Sequence, residues 1–230
     1  MARYRISLTE KLTLGLLFII LAIGYILFYT NLPAFVIYVE EDGTVEWLTV
    51  LGLILACGVC VGRFFRLFKK RNWWFLTIVF GLALLMFFGA GEEISWGQRI
   101  LGIKSSAFFE HNNSQHETNF HNLIVDGIKV NKLIFSTLLS IFLGVYLLIF
   151  PILYEKNRKI ALFFNRSAVP IPRLYQIISF VLLFIITSLL QHEKRAELLE
   201  CGTALLFFLI IRYPKNTEAF DPSNSLSSQR

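Results

Sequence analysis

Cysteine is scarce: Cys57, Cys60 and Cys201 are the only three, at scattered positions, and they offer no disulfide framework. Cys57 and Cys60 form a C-x-x-C pair, but both fall inside an apolar run where small residues let helices approach, so no redox or metal role is assigned to them. Charge is thin as well, at 17% of residues. A small-residue cleavage site is missing after the first apolar run, in "FYTNLPAFVIYVE", so that run reads as a retained helix and not a signal peptide.

What fills the chain is apolar surface. Hydrophobic residues make up 55% and aromatics 15% of 230 residues, with a mean hydropathy of +0.60, more than a soluble domain carries. A bilayer core of ~30 Å takes about 20 apolar residues in a helix. Six stretches approach that length: Leu12 to Tyr29, Trp47 to Gly62, Trp73 to Gly91, Leu133 to Tyr154, Leu174 to Leu190 and Glu197 to Ile211. The expectation is an all-α polytopic transmembrane bundle, one domain over residues 1–213, followed by a disordered polar tail over 214–230. The segment 160–172, "IALFFNRSAVPIP", is apolar enough to lie along the inner interface.

The charges are distributed by side. With six spans, 16 of the 22 Lys and Arg residues fall on the side of both termini, in "GRFFRLFKKR" above all, which makes that side cytoplasmic. Twelve of the 16 acids and all four histidines fall on the other side. The net charge of +6 therefore describes a rim facing anionic headgroups and gives no reason to invoke nucleic acid.

Three outward stretches hold the candidate chemistry. In "GAGEEISWGQRI" (89–100) the helix is expected to continue past the membrane edge, placing Glu92, Ser95 and Arg99 on one face with Glu93 beside them. In "HNNSQHETNFHNLIVDG" (111–127), His111, His116 and His121 are five residues apart and cannot share a helical face, so only a loop could gather them. Glu117 and His121 have the i, i+4 spacing that can serve one ion. On the last span Glu193, Glu197 and Glu200 stand at i, i+4 and i+7, with Glu200 roughly 10 Å below the interface, where a carboxylate faces a bundle interior, a cavity or a partner. The simpler explanations are a salt bridge of Arg99 to Glu92 with Trp96 as interfacial anchor, an ordinary polar loop, and a last helix that sits higher in the bilayer. The N-x-S sequons at Asn112 and Asn165 carry no assignment, the second being on the cytoplasmic side.

The blocks "EEDGTVEWLT" (40–49), "GEEISWGQRILG" (91–102) and "QHETNFHNL" (115–123) together resemble a family of uncharacterised bacterial multi-pass membrane proteins. That resemblance implies an inner-membrane protein and no particular activity. The CAAX-type intramembrane proteases are similar only at the paired glutamates Glu92 and Glu93. Arg99 follows Glu93 by six residues instead of four, Phe108 precedes His111 by three, and no Asn stands four places after His121. The likeness there is one of chemistry alone.

Two readings compete, with a transporter as a third. One is a membrane hydrolase or transferase acting on a lipid-linked or peptide substrate, with Glu92, Glu93, Arg99, Glu117 and Glu200 as catalytic candidates. His116, His121, Glu93 and Glu197 would then bind a divalent metal such as zinc. The other is a scaffold or lipid-binding subunit of an envelope assembly, its polar residues satisfying one another. A transporter fits less well, because every polar cluster falls on one side and no acid continues a path inward. The topology predicts that cysteines placed at Thr44 or Ser114 react with an impermeant maleimide from outside intact cells while those at Lys70 or Lys156 do not. Labelling of Ser114→Cys only after permeabilisation would break the shared-face argument.

Overall fold

Polar residues punctuate the apolar runs and set the helix boundaries. The computed structural model describes residues 4–40, 42–125, 128–129 and 138–223. Helix α1 (Leu8–Thr30) opens on a capping box, in which Ser7 Oγ accepts from the Glu10 amide and the Glu10 carboxylate accepts from the Ser7 amide at 2.7 Å. Asn31 closes it and caps α2 (Leu32–Tyr38), with Pro33 in the first turn where its missing N–H loses nothing. Helices α3 (Thr44–Leu67) and α4 (Trp73–Glu93) pack on each other as a hairpin, and Asn72 Oδ1 caps α4 by accepting from the Phe75 amide at 2.8 Å.

The segment after α4 then holds the short helices α5 (Gln98–Leu101) and α6 (Ala107–Asn112) and a minimal antiparallel pair, β1 (Ile124–Val125) with β2 (Ile128–Lys129). Next, α7 (Leu139–Gly144), a π-turn over Val145–Ile149 and α8 (Phe150–Lys156) run on as one helix. Pro151 offers no N–H to residue 147, which accounts for the widened turn just before it. Helices α9 (Arg158–Arg166), α10 (Leu174–Ser188) and α11 (Arg195–Arg212) follow, then a 3-10 turn at Thr217–Phe220.

Among the described residues, four helices are long and apolar enough to cross a membrane: Leu8–Thr30, Thr44–Leu67, Trp73–Glu93 and Leu139–Lys156. Each coincides with an expected span, although residues 133–137 of the fourth lie outside the described residues. Large side chains such as Phe18, Ile26, Leu84, Leu85, Ile141 and Phe142 point outward from them. Water does not tolerate so continuous an apolar surface, whereas lipid does. Helix α10 is apolar but only 15 residues long.

Helix α11 differs from the other expected spans. It carries Arg195, Glu197, Glu200 and Arg212, yet it buries Leu198, Cys201, Ala204, Leu205, Leu206 and Phe208 to Ile211 against α3, α10 and α1. A helix buried on nearly every side is a core helix. Small residues make that possible, since dispersion and close backbone approach, and not a hydrophobic drive, hold helices together in lipid. A Cβ at Gly52 would lie 3.0 Å from the backbone carbonyl carbon of Ala204, and one at Gly202 would meet Leu183.

At the basic end of the bundle, Glu10 is fully buried and accepts from Tyr4 Oη at 2.7 Å and from the Tyr175 hydroxyl of α10. The Arg173 guanidinium lies 3.7 Å over the Tyr4 ring and donates to the Tyr213 carbonyl at 3.0 Å.

Residues 214–223 depart from the expected disordered tail. Arg71 Nη2 donates to the Ala219 and Asp221 carbonyls at 2.9 and 3.2 Å, and the Arg63 guanidinium lies 4.1 Å over the Phe220 ring. Asn216 accepts from the Ile171 amide and donates to the Val169 carbonyl. Buried arginines demand acceptors, and this polar stretch supplies them from its backbone; residues 224–230 lie outside the described residues. After α9, Ala168 and Ile171 are fully buried in protein, so the second half of the 160–172 segment is packed inward and not laid along an interface.

Gly52→Val should lower the thermal stability of detergent-solubilised protein by an overpacking cost of about 1–3 kcal/mol, because backbone cannot move aside. Gly58→Val, at a position with nothing within 4 Å of the added Cβ, should leave the melting temperature nearly unchanged. Equal melting temperatures for the two variants would refute the close α3–α11 contact.

Candidate functional site

Helix α4 stops at Glu93, and the expected continuation through Arg99 does not form. Ser95, Trp96 and Gly97 all take positive φ, of 46°, 56° and 73°. Gly97 adopts this freely, whereas each of the other two costs roughly 1–2 kcal/mol. Their surroundings hold them there. The Trp96 indole N–H donates to Glu92 Oε1 at 2.9 Å, and its ring covers Gly91, where a Cβ would come within 2.9 Å of it. Ser95 donates to Glu117 and accepts from Asn119 Nδ2 at 2.7 Å. Glu92, Ser95 and Arg99 are therefore brought together by a chain reversal and not by helical periodicity.

The strain is local to this region. Five non-glycine described residues have positive φ, and Asp42, Ser95, Trp96 and His116 among them lie just before α3 or in the segment after α4; Ala168 is the exception. Such strain persists only where contacts over-determine the backbone, and it clusters at functional sites.

The polar loop 113–123 is folded by its asparagines. Asn113 Nδ2 donates to the Asn119 carbonyl and to its Oδ1, both at 2.9 Å, while Asn113 Oδ1 accepts from the Gln115 amide at 2.9 Å. Asn119 Oδ1 accepts from the Asn122 amide at 3.0 Å. Gln98 ties this loop to α5, accepting from the Thr118 amide at 2.8 Å and donating to Ser105 Oγ at 2.7 Å. Asn113 and Asn119 are buried and structural; sequence reasoning did not single them out, although the Q-x-E-x-N-x-H-N spacing contains the second.

Glu92 fastens the loop to α4. Its Oε2 accepts from the Phe120 amide at 2.6 Å and the His121 amide at 3.2 Å, while Oε1 takes the Trp96 indole. With both oxygens engaged by protein N–H groups and only 4% of the residue exposed, Glu92 clamps the loop to α4. Its partner in the pair, Glu93, turns the other way.

Glu93 of α4, His121 of the loop and Glu200 of α11 converge, each offering one ligand atom, with those atoms all within 4.8 Å of one another. All three are half-buried. Glu200 Oε2 is fully enclosed and has no hydrogen-bond partner among the described residues. A buried carboxylate oxygen without a donor is costly unless a proton or a cation occupies the space it faces. Glu197 lies one turn before Glu200 and is half-buried. It acts electrostatically on Glu93, as do Glu46, Glu92 and Glu200.

Arg99 forms the outer boundary. It pairs with Glu46 at 3.0 Å, Asp42 at 3.1 Å and Glu117 at 3.4 Å. Burial opposes its charge, but Glu46, Glu117 and Asp42 outweigh that and raise its pKa above the ordinary value. Asp42 and Glu46 were not singled out from the sequence, because nothing local indicates that α3 begins beside α5.

Other expected residues stand apart. His116 is exposed, with Nδ1 2.6 Å from the Glu110 carbonyl, and is not among the three converging ligands. His111 is exposed as well. Glu193 is exposed and precedes α11, so of the three acids expected on one helical face only Glu197 and Glu200 are on the helix.

Compared with family models, curated proteins and solved structures, the chain matches none. The resemblances seen in its blocks therefore assign no residue a role, and the chemistry has to be argued from this geometry.

Glu92→Gln should free the loop, since the amide offers one acceptor where the carboxylate offers two and turns an NH2 group toward a backbone donor. Hydrogen–deuterium exchange at Phe120 and His121 should rise about tenfold or more, the equivalent of one charge-assisted hydrogen bond of about 1.5–3 kcal/mol. Unchanged exchange in that peptide would show that Glu92 is not the clamp.

Proposed function

We propose that this chain is a membrane-embedded, metal-dependent hydrolase or transferase whose site lies at the outer end of a bundle of six crossing segments, with both termini on the cytoplasmic side of a bacterial inner membrane. Excess Lys and Arg on one side and acids on the other support that orientation. The observation that carries the enzymatic reading is the enclosed, unpartnered Glu200 Oε2, facing the space that Glu93 and His121 also reach.

One imidazole and two carboxylates from three separate segments offer three nitrogen and oxygen donors to a divalent ion, and catalytic zinc sites likewise use three protein ligands and leave one position open. A divalent ion there would supply Lewis acidity and make water acidic enough to react near neutral pH. The residues of the chain do the rest. Glu92 fixes His121 through its backbone, Arg99 holds Glu46 and Glu117 in place, and Glu197 is positioned on α11 to take a proton.

The hydrogen-bonded block of Ser95, Gln98, Asn113 and Asn119 would equally suit a scaffold or lipid-binding subunit, since those groups satisfy one another. Glu200 Oε2 separates the two readings. Protein purified in detergent and equilibrated with micromolar zinc should retain one ion per chain by elemental analysis. His121→Ala and Glu200→Gln should lose it while remaining folded, and His116→Ala should keep it. Wild-type protein without stoichiometric metal would leave the scaffold reading standing.

A further inference from the structure

We propose that the site acts on an ester- or amide-linked acyl lipid with an uncharged or cationic head, and that one acyl chain of this lipid lies in the groove along the outer half of α3. This rests on the hydrolase reading above.

The groove is lined by Asp42, Gly43, Trp47, Leu48, Leu51 and Ile54, is largely open to its surroundings and has a volume of about 650 Å³. At ~1.5 Å per residue, Leu51 and Ile54 stand roughly 10 and 15 Å below Thr44. The groove thus runs from the outer end of a membrane-length helix into the depth of the hydrocarbon, where the surrounding solvent is itself acyl chain. Only its mouth is polar. Asp42, half exposed there, shares the Arg99 guanidinium with Glu46, and Glu46 acts on Glu93. Arg99 thus links the groove's mouth to Glu46.

Charge selects the head. Asp42, Glu46, Glu92, Glu93, Glu117, Glu197 and Glu200 gather around Arg99 and the converging ligands. One arginine and one divalent ion cannot neutralise that many carboxylates. A phosphate or carboxylate head meets net repulsion, strengthened by the low dielectric near the bilayer. An uncharged carbonyl meets none, and an ammonium head is attracted to Asp42.

In the hydrolysis of such a lipid, water oxygen bonds to the acyl carbonyl carbon and the C–O or C–N bond to the rest of the lipid breaks. The proton given up by water passes to Glu197 and on to the departing oxygen or nitrogen. Nothing is oxidised or reduced.

The test uses full-length protein in nanodiscs, with photoactivatable diazirine acyl chains on two probes, diacylglycerol and phosphatidic acid, and metal content measured on the same samples. Diacylglycerol should label residues 43–54 in preference to the outward faces of α1 and α4. Leu51→Trp should cut that labelling about tenfold, as displacing roughly two buried methylenes would, without changing metal stoichiometry. Phosphatidic acid should label the outward faces but not the groove. Equal groove labelling by the two probes, labelling indifferent to Leu51→Trp, or displacement of the probe by an apolar helical peptide would each overturn the proposal while the metal reading stands. Preferential labelling in a protein that binds no metal would instead leave the lipid site and remove the enzyme.

Discussion

A single carboxylate organises one end of this protein. Glu92 receives the Trp96 indole on one oxygen and two consecutive backbone amides of the polar loop on the other. The left-handed turn at Ser95 and Trp96, the position of Ser95 against Asn119 and Glu117, and the approach of His121 to Glu93 all depend on it. A charged acceptor in a protected place is worth more than the same contact in water, and this one offsets backbone conformations that would otherwise not persist. The adjacent glutamates diverge: Glu92 turns toward the loop and is fully engaged in holding it, and Glu93 turns toward His121 and Glu200.

Beneath that cap the bundle is organised around α11, the most buried helix and the least apolar of the long ones. Lipid provides no drive for apolar helices to associate, so the packing relies on glycines such as Gly52 and Gly202 that admit neighbouring helices to close range. A polar helix at the centre of apolar ones has its carboxylates shielded from lipid, and Glu200 is thereby held toward Glu93 and His121 in the middle of the assembly.

The sequence revealed the helices because apolar length is a one-dimensional property: the runs beginning near Leu12, Trp47 and Trp73 each became a helix extending a few residues beyond the apolar stretch. It revealed that Glu93, His121 and Glu200 belong on one side, since charge asymmetry assigns sides without coordinates. Periodicity failed where the chain leaves helix, and the face proposed for Glu92, Ser95 and Arg99 assumed regular backbone through two residues that are left-handed. Histidine count misled as well, since His116 lies on the same loop as His121 yet faces the Glu110 carbonyl. Asp42 and Glu46 were invisible because their partner Arg99 lies more than 50 residues away along the chain. The polar composition of residues 214–223 suggested disorder, and only the arginines they satisfy, Arg63 and Arg71, explain their order.

The buried Glu10 at the opposite end bears on how the molecule is made. Its donors are Tyr4 and Ser7 nearby and Tyr175 on α10, and α1 also packs along α11, where Leu17 lies close to Gly202. Helix α1 thus acquires its final neighbours from segments synthesised long after it. Until α10 and α11 are in place, α1 has a carboxylate lacking one of its donors and one flank without its protein neighbours, so its packing is completed only by helices that follow much later in the chain.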